Sequence, residues 1–410
     1  MENMNNNQTS NQKDSPKVSI VILNWNNWKD TLECLKSIFQ INYSRYNVVL
    51  VDNASTDHSI LEIRNFSTSI SREIIELNEN EIKEVNIHSK TNHIHNSTEN
   101  LIKNNLNSAD FKPSVLNSFG EESIFGKNLF LIKNNENHGF AGGNNIGMNF
   151  ALEYLNPDYI LLLNNDTTVS KHFLNEMLKV ACGKDSVGSV QALLLNQNGK
   201  AIDSLGQECY WWGAEDICMG TSLDNAQIFI GGSNDNMEIF GSCAAAALYP
   251  SKVLRETGLF DEDFFVELED VDLSWRIRLM GYKSYLARKS LVYHKRGVSG
   301  TIRSGDLVRG LTNKPMIGKW YHQSKNWLII VLRYYSFSVM VKALFRYPHK
   351  VFFTFFRLIY SCSWLGKTKE TFKILLDNSK TGKEIKKNPY WDETVRKWVK
   401  KSPRKCNWQK

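Results

Sequence analysis

Two amides and a carboxylate follow a run of leucines in the segment LLLNNDTTVS, residues 161–170. In an extended chain, Asn164 and Asp166 point to the same side, so an amide oxygen and a carboxylate can converge on one cation. Mg²⁺ and Mn²⁺ need few protein ligands when a bound diphosphate supplies further oxygens. The segment therefore predicts a divalent metal site that receives a phosphorylated ligand.

A third ligand for this cation is available in the segment YHKRG, residues 293–297, where His294 follows the apolar stretch SLVY. Neutral imidazole is a common ligand of divalent metals. A histidine at the end of a strand can equally have a structural role, and the sequence leaves both interpretations open.

Acidic residues cluster in FDEDFFVELEDVDLSWRIRLMGYK, residues 260–283. The first of them are explained by the favourable interaction of carboxylates with a helix N-terminus. Asp272 and Arg276 have the i,i+4 spacing of a helical ion pair. Glu269 and Asp270 are explained less well, because they follow the apolar stretch FFVEL where the predicted core meets solvent. A carboxylate held there could take a proton from a hydroxyl group.

A glycine-rich turn, NHGFAGGNNIG, occupies residues 137–147. Gly142 and Gly143 can adopt positive φ and allow the backbone to approach a ligand, and the helix that follows offers free N–H groups to an anion. With Asn144, they are candidate contacts to a phosphorylated ligand. The turn contains neither GxGxxG nor GxxxxGK[ST], and an ordinary loop-to-helix junction would use the same residues.

Strands and helices alternate regularly around these segments. VSIVILNW, NVVLVDNAS, NLFLIKNN and DYILLLNND read as strands, and amphipathic segments such as WKDTLECLKSIF and KHFLNEMLKVA separate them. The alternation predicts an α/β fold with a Rossmann-like, mainly parallel sheet that helices cover on both faces. Ligands bind such sheets beyond the carboxyl ends of the strands.

Polar residues stand at the carboxyl ends of all four predicted strands. In order, they are Asn24 (followed by Trp25), Asp52 and Asn53, Asn134 and Asn135, and Asn164, Asn165 and Asp166. For any one strand, the alternative is that asparagine and aspartate simply form the turn. Four strands that end in this way at one predicted edge favour a binding site there.

The chain divides into segments of different composition. Residues 1–15 form a polar tail that is predicted to be disordered, and residues 16–310 form the predicted α/β domain. Within that domain, about residues 67–127 lack apolar periodicity and are predicted to be a polar, partly disordered insertion. Residues 311–410 form a basic helical region. From residue 276 onwards there are 31 basic and 6 acidic residues, against 19 and 37 before it, so the two parts should meet different partners.

The seven cysteines are scattered, with no CxxC arrangement. This pattern predicts neither a disulfide framework nor a structural zinc site, and it favours a reducing cytosol. The N-terminus has no apolar segment, so no secretory signal is expected.

The segment from residue 327 to 365 is rich in aromatic residues but interrupted by charges. No run reaches the roughly 20 uncharged residues that a membrane-spanning helix requires. On a helical projection, four cations fall within about 80° of one another: Lys342, Arg346, Lys350 and Arg357. Pro348 must break or kink this helix. This pattern is typical of a helix in the interface of an anionic membrane. The alternative is a helical hairpin packed on the α/β domain, with the cations in solvent.

Five of these segments, taken in order, resemble the motifs of the family 2 glycosyltransferases of the A-type fold, and particularly the rhamnosyltransferase-like branch that elongates bacterial-type surface polysaccharides. They are VSIVILNWNN, VVLVDNASTD, NENHGFAGGNNIG, YILLLNNDT and FDEDFFVELEDVDLSWRIRLMGYK, and they span roughly residues 16–300. The resemblance implies the A-type glycosyltransferase fold with a basic helical C-terminal region.

The resemblance also implies a role for each candidate residue. Asp270 would be the catalytic base. The metal ligands would be Asn164 and Asp166, in a DxD-type motif, and His294. Asp52 and Asn53 would hold the nucleotide base, and Asn165 would lie at the diphosphate. The other candidates for the nucleotide-sugar site come from the strand-end, turn and acidic-segment patterns: Asn24, Gly142, Gly143, Asn144 and Glu269. Two features depart from the family pattern: NND replaces DxD, which could weaken metal binding, and a long insertion separates the second and third predicted strands.

The implied activity is inverting transfer of a sugar, with Mg²⁺ or Mn²⁺ as cofactor. L-rhamnose from dTDP-L-rhamnose is the favoured donor sugar, with UDP-hexose, UDP-N-acetylhexosamine and UDP-galactofuranose as alternatives. The expected acceptor is a glycan or a polyprenyl-linked glycan, the expected location is the cytoplasmic face of a membrane, and no nucleic acid partner is expected. A nucleotidyltransferase is less favoured because the glycine-rich turn has no basic residue, and an inactive sugar-nucleotide-binding protein would not need Asp166, Asp270 and His294 together.

Overall fold

The computed structural model describes residues 15–70, 74–81, 125–211, 213–224, 236–296 and 314–400. Strands and helices alternate at first, in the order β1 Val18–Asn24, α1 Trp28–Ile38, β2 Tyr46–Asp52, α2 Ser59–Ser69, β3 Ile74–Asn78, β4 Gly126–Lys133, α3 Gly139–Phe150, β5 Tyr159–Leu163, β6 Thr167–Val169 and α4 Phe173–Cys182. Then follow β7 Val187–Asn196, β8 Ile202–Ser204, β9 Gln207–Tyr210, β10 Gly213–Asp216, β11 Asn236–Ile239, β12 Ala246–Pro250, α5 Ser251–Thr257, α6 Glu269–Leu279 and β13 Lys283–His294. The C-terminal elements are α7 Lys314–Tyr334, α8 Phe337–Arg346, α9 Pro348–Leu365, α10 Thr368–Ile385, α11 Trp391–Trp398 and β14 Val399–Lys400.

The main sheet has the strand order β3-β4-β2-β1-β5-β12-β7-β13-β11. The first five strands in this order run parallel to one another, which confirms the predicted mainly parallel sheet. Strand β12 is inserted antiparallel between β5 and β7, whereas β13 is parallel to β7. The carboxyl ends of β1, β2 and β5 therefore meet at one edge, where the polar residues were predicted to lie.

Both faces of the sheet are buried because successive side chains in a strand point to opposite faces. In β1, Ile20 and Ile22 pack on the face that α1 and α4 cover, and Val21 packs on the face that α3 and α6 cover. The apolar run VSIVIL therefore has to be continuous rather than alternating, as is usual for a parallel sheet covered on both faces.

The boundaries of the predicted insertion are wrong at its N-terminal end. Helix α2 continues to Ser69, and β3 adds an edge strand beside β4. Strand β3 alternates buried Ile75 and Leu77 with the more exposed Glu76, and these few residues were too short a pattern to stand out in polar surroundings. The rest of the predicted insertion, residues 82–124, and the N-terminal tail through residue 14 lie outside the described residues.

The C-terminal helices pack on the α/β domain through α7. The rings of Trp275 in α6 and Tyr334 in α7 are stacked, with centroids 4.9 Å apart. The Arg333 guanidinium is 2% exposed and forms ion pairs with Asp261 and Asp272. This packing is the one that the alternative interpretation expected, and it shows that α7 belongs to the same folded unit as the sheet.

The predicted basic stripe is not on one helix. The chain breaks at Tyr347, and Pro348 starts a new helix, so Lys342 belongs to α8 and Lys350 to α9. Arg357 turns inward, with its guanidinium 5.4 Å from the ring centre of Trp320. The expected break at Pro348 is confirmed. Because the helix that begins at Pro348 has its own rotation, the four cations do not form one continuous stripe. Among the described helices, none combines the length and the apolar character needed to cross a membrane.

Most of the described cysteines are free thiols: Cys34, Cys182, Cys209, Cys243 and Cys362. Cys218 forms a disulfide bond. A single disulfide bond does not make a disulfide framework. It nevertheless differs from the free thiols that are expected in a reducing compartment.

Candidate active site

The three predicted metal ligands converge. Nε2 of His294 lies 3.1 Å from Oδ1 of Asp166 and 3.5 Å from Nδ2 of Asn164. The short strand β6 directly follows Asp166 and pairs antiparallel with the end of β13, with Thr167 opposite His294. This pairing brings together residues that are 128 positions apart in the chain, which the sequence alone could not show.

A carboxylate that the sequence analysis missed orients the histidine. Oδ2 of Asp203, at the centre of β8, lies 2.8 Å from Nδ1 of His294. Burial alone would lower the pKa of His294, but its hydrogen bonds to Asp166 and Asp203 outweigh this effect and raise the pKa to about 9. Metal-binding histidines usually have such a carboxylate on the second ring nitrogen, because it fixes the orientation of the ring.

This donor set fits a hard divalent cation that has other ligands. It offers a carboxylate, an imidazole whose second nitrogen is held by Asp203, and the amide of Asn164. The described residues contain no cluster of three or more His, Cys, Asp or Glu side chains that could hold a metal ion. Since Mg²⁺ and Mn²⁺ are often completed by phosphate oxygens and water, Asn164, Asp166 and His294 fit such an ion together with a diphosphate.

The predicted nucleotide residues on β1 and β2 form one hydrogen-bonded network. Asn24 and Asp52 are the paired last residues of adjacent parallel strands, and Nδ2 of Asn24 donates to Oδ1 of Asp52 over 2.7 Å. Nδ2 of Asn165 donates to Oγ1 of Thr31, which in turn donates to Oδ1 of Asn24. The strand ends and the NND segment are therefore held as one unit.

The side chain of Asn53 organises the glycine-rich turn. Its Nδ2 donates to Oδ1 of Asn137 and to the carbonyl of Gly139, while its Oδ1 accepts from Nδ2 of Asn134 and from the backbone N–H of His138. Both amide hydrogens and both acceptor positions are used within the protein. In this conformation, the side chain of Asn53 holds the glycine-rich turn in place and has no free hydrogen-bonding group to offer a ligand.

The glycine-rich segment also differs from the prediction. Helix α3 already begins at Gly139, so Gly142, Gly143 and Asn144 lie inside it and are buried. A Cβ on Gly143 would lie 2.6 Å from Cδ1 of Leu23, so this glycine allows α3 to pack closely on β1. These three residues therefore support the site by packing. The expected positive φ at Gly142 and Gly143 is wrong, because glycines in a turn and glycines at a helix–strand contact look alike in a sequence. A ligand contact by these residues stays a prediction.

The candidate base stands at the start of α6. Asp270 is half-buried, and its Oδ2 accepts a hydrogen bond of 3.0 Å from the backbone N–H of Ala244. Burial raises the pKa of Asp270 to about 6, although hydrogen bonds from Ala244 and Gln207 oppose the rise. A carboxylate with this pKa is ionised near neutral pH and still basic enough to accept a proton from a hydroxyl.

Its neighbour Glu269 has a different environment. Burial, followed by the nearby charge of Asp270, raises the pKa of Glu269 well above its usual value. Among the described residues, Oε2 of Glu269 has no hydrogen-bond partner. Burial thus favours the protonated form of Glu269, whereas the N–H of Ala244 favours the ionised form of Asp270, and this difference supports the assignment of the base to Asp270.

The segment of small residues before β12 connects the base with the metal ligands. The backbone N–H of Ala244 donates to Asp270. The carbonyl of the following residue, Ala245, accepts a 3.0 Å hydrogen bond from the N–H of Asn164. A Cβ on Gly241 would lie 2.1 Å from Oγ of Ser274, so α6 approaches this segment closely. The stretch GSCAAAA could have signalled such close packing, but its role depends on contacts distant in sequence.

Two family models match the chain. The model described as "Glycosyltransferase like family 2" matches residues 110–309, and the model described as "Glycosyl transferase family 2" matches residues 19–90. Between them, these matches include every predicted site residue. They confirm the resemblance to the family 2 glycosyltransferases that the five sequence segments indicated.

Similar proteins agree with these matches. The chain is 23% identical, over 156 residues, to the low-salt glycan biosynthesis hexosyltransferase Agl10 of Haloferax volcanii. The match covers 37% of this chain and 46% of Agl10, so it spans less than half of that relative.

Two solved structures are also similar. GalNAc-T7, in a crystal structure with UDP, GalNAc and Mn²⁺, has a TM-score of 0.50 and 14% identity, with 79% of this chain and 49% of that chain covered. The mannosyltransferase PcManGT from Pyrobaculum calidifontis, in complex with GDP-Man and Mn²⁺, has a TM-score of 0.45 and 12% identity, with 93% and 86% covered. At such identity, the likeness to GalNAc-T7 indicates the fold alone, and that fold is the predicted A-type. The two family models, which together match most of the chain, show that it belongs to glycosyltransferase family 2.

Proposed function

We propose that this chain is an inverting glycosyltransferase that moves a sugar, L-rhamnose in the favoured case, from a nucleotide-diphosphate donor to a glycan or lipid-linked glycan. The observation that carries the proposal is the short backbone connection between Asp270, a carboxylate with a pKa of about 6, and the NND segment with its metal-ligand geometry. A base and a diphosphate site at one edge are what a direct displacement at a sugar carbon requires.

Each group has one task in this mechanism. Asn164, Asp166 and His294 would hold Mg²⁺ or Mn²⁺, which supplies positive charge to the departing diphosphate. Asp270 accepts the proton of the acceptor hydroxyl as that oxygen attacks the anomeric carbon from the face opposite the diphosphate. The bond to the new oxygen forms as the bond to the diphosphate breaks, so the configuration inverts without a covalent sugar–enzyme intermediate. The Ala244 N–H keeps Asp270 in place.

The donor sugar is proposed from the family resemblance and from the similar proteins. The resemblance to the rhamnosyltransferase-like branch favours dTDP-L-rhamnose, and a hexosyltransferase among the relatives is compatible with a six-carbon sugar. UDP appears in the crystal of GalNAc-T7, so UDP-hexose, UDP-N-acetylhexosamine and UDP-galactofuranose remain alternatives. Thymine and uracil present the same N3–H and carbonyl edge, so the Asp52 turn would accept either base.

A panel of nucleotide sugars tests the proposal. We expect one donor to raise the melting temperature of the protein more in the presence of Mn²⁺ than in its absence, since ligands stabilise the folded state to which they bind. That donor should then release a nucleoside diphosphate when an acceptor is added. Release of pyrophosphate would indicate a nucleotidyltransferase instead, and donor binding with no turnover on any acceptor would indicate an inactive binding protein.

The outer face of α8 and α9 is proposed to bind an anionic membrane that carries the acceptor. Its most exposed apolar side chains are Phe337, Leu344, Phe345, Phe352 and Ile359, each more than half exposed. Apolar surface of this extent is unusual on a monomer unless it binds something. The exposed cations nearby favour an anionic lipid surface over a neutral partner: Lys342, Arg346, Lys350, Lys369 and Lys373.

Substitutions on this face test membrane binding without removing α7, which is part of the folded core. We expect the wild-type chain to co-sediment with anionic liposomes at low salt, and much less at high salt or with neutral liposomes. The triple variant Phe345→Ser, Phe352→Ser, Ile359→Ser should stay in the supernatant. The matched control is Leu61→Ser, an exposed leucine on α2, which should bind like the wild type. Equal binding of the triple variant would contradict the proposal.

A further inference from the structure

The loop that leads into α6 has an unusual backbone. Phe265, Glu267 and Leu268 have φ values of 62°, 70° and 69°, which side chains other than glycine rarely adopt. Three such residues within four positions, directly before the candidate base, form a strained segment. Strain of this kind persists only where the surrounding structure enforces it, and it is concentrated at functional sites.

A buried amide on α7 holds this segment. Nδ2 of Asn326 lies within hydrogen-bond distance of the carbonyls of Phe264, Val266 and Glu267, at 2.9, 2.8 and 2.6 Å, so its two hydrogens are shared among three acceptors. Its side chain is fully buried. Carbonyls in a loop have no ladder partner and must be satisfied elsewhere. Asn326 meets this need for three carbonyls, and it does so from a helix about 60 residues further along the chain.

Further contacts from α7 and α3 fix the same loop. Nε2 of Gln323 donates to Oε2 of Glu267 over 2.8 Å, and Nζ of Lys325 donates to the carbonyl of Asp263. From the other side, the N–H of Ala141 donates to the carbonyl of Phe265 over 3.0 Å. The loop therefore lies between the start of α3, on the donor side, and α7.

Arg333, two helical turns after Asn326, fixes α7 relative to both ends of the loop. Its guanidinium pairs with Asp261 before the loop and, over 2.6 Å, with Oδ1 of Asp272 after it. Asp272 lies only two residues beyond Asp270. A shift of α7 would therefore move the loop and the start of α6 together.

We propose that Asn326 is a positioning residue for sugar transfer: by holding the carbonyls of the strained loop, it fixes the direction in which α6 presents Asp270 to the acceptor. This inference rests on the proposed function, in which Asp270 is the base. Asn326 touches no substrate and acts through Asp270. The C-terminal region then completes the active site rather than serving as an appendage that could be removed.

The test compares Asn326→Leu with a control substitution. The control weakens the packing of α7 against another C-terminal helix and removes no contact to the loop. Leucine matches asparagine in size but cannot donate. Misplacing a catalytic group slightly can cost up to about 100-fold, so we expect kcat to fall about 10-fold to 100-fold, with the KM for the donor almost unchanged. The control is Thr371→Val, which removes a buried hydrogen bond of 3.1 Å to Tyr321 of α7. It should lower the melting temperature but leave kcat near the wild-type value.

A second variant keeps the test decisive if Asn326→Leu does not fold. Gln323→Ala removes the half-buried contact to Glu267, and it should lower kcat about threefold without loss of donor binding. The inference would be overturned by a wild-type kcat in folded Asn326→Leu or by an equal loss of kcat in Thr371→Val. If Asn326→Leu does not fold, a wild-type kcat in Gln323→Ala would overturn it. Failure of the proposed function is recognised separately, because Asp270→Asn would then retain full turnover.

Discussion

The two ends of the candidate site are held in different ways. The metal and nucleotide end consists of residues at strand ends, such as Asn24, Asp52 and Asp166, which the sheet itself aligns. The base end consists of Glu269 and Asp270 at the start of a helix, after a strained loop that depends on α7. The first end is a product of the sheet, whereas the second depends on a few buried polar contacts to a distant part of the chain.

The two ends also differ in electrostatics. The nucleotide end is connected largely by hydrogen bonds of amides, a hydroxyl and Asp52. The base end contains a buried arginine, Arg333, between Asp261 and Asp272. Removing one partner of a buried ion pair leaves the other charge uncompensated. Single substitutions near Arg333 should therefore unfold the protein, whereas substitutions at the metal end should mainly weaken binding.

Arg333→Leu should have the largest effect on stability. Loss of its charge removes the ion pair of Asp261 and leaves Asp272 paired with Arg276 alone among the described residues, and breaking a buried pair costs about 3–5 kcal/mol. The control Arg64→Leu removes an exposed pair with Glu76 on the donor side and should cost less than about 1 kcal/mol. Urea titration measures both. Similar losses in the two variants would contradict the contrast between the ends.

Asp166→Ala should have the largest effect on binding. It removes the one carboxylate among the predicted ligands, and since even loss of an outer partner costs about 10–100-fold, the affinity for donor with Mn²⁺ should fall at least that much. His294→Ala should lose less, because water or a diphosphate oxygen can take the place of the imidazole. Titration of Mn²⁺ by calorimetry measures both. An unchanged metal requirement in Asp166→Ala would mean that NND is only a turn.

Asp203→Asn sharpens the account of the metal end. It keeps the size of the side chain but weakens the orientation of His294, and loss of such a partner typically lowers metal affinity about 10–100-fold. Asp216→Asn is the matched control, because it removes the same charge and contacts Arg296 rather than His294. If both variants lower Mn²⁺ affinity equally, the loss of affinity comes from the loss of a negative charge and not from a change in the orientation of His294.

Deletion of residues 82–124 should have the smallest effect. This polar stretch has no apolar periodicity in the sequence, so joining Glu81 to Phe125 through a short glycine-serine linker should leave a soluble, folded enzyme. The deletion has to begin after Glu81 because β3 pairs with β4 and Glu79 binds the backbone N–H of Asn135. Loss of soluble protein, measured by gel filtration, would show that the stretch is needed for folding.

The metal end could be predicted from the sequence and much of the base end could not. The end of a strand can be recognised in the sequence because an apolar run is followed by a polar residue. Parallel strands bring these ends to one edge of the sheet, as Asn24, Asp52 and Asp166 show. The role of Asn326 gives no such signal. It is one amide on an amphipathic helix, and its importance comes from carbonyls about 60 residues away.

Some predictions failed because one sequence pattern is compatible with two different local structures. Gly142 and Gly143 looked like a ligand-binding turn but allow α3 to pack on β1, and the basic stripe was projected across Pro348 as though the helix were continuous. Asp203 was missed because a single aspartate in a short strand stands out only once His294 is placed beside it. In each case, contacts between segments distant in sequence decided the role of the residue.

The most direct test is the pH dependence of acceptor-dependent nucleoside diphosphate release by the wild type and by Asp270→Asn. Because the base must be ionised and its pKa is raised to about 6, wild-type kcat should fall as the pH drops through about 6. Asp270→Asn should lose about 10²–10⁴-fold in kcat at neutral pH, with its affinity for the donor nearly unchanged. If this variant keeps more than about a tenth of wild-type turnover, Asp270 is not the base and the central claim is wrong.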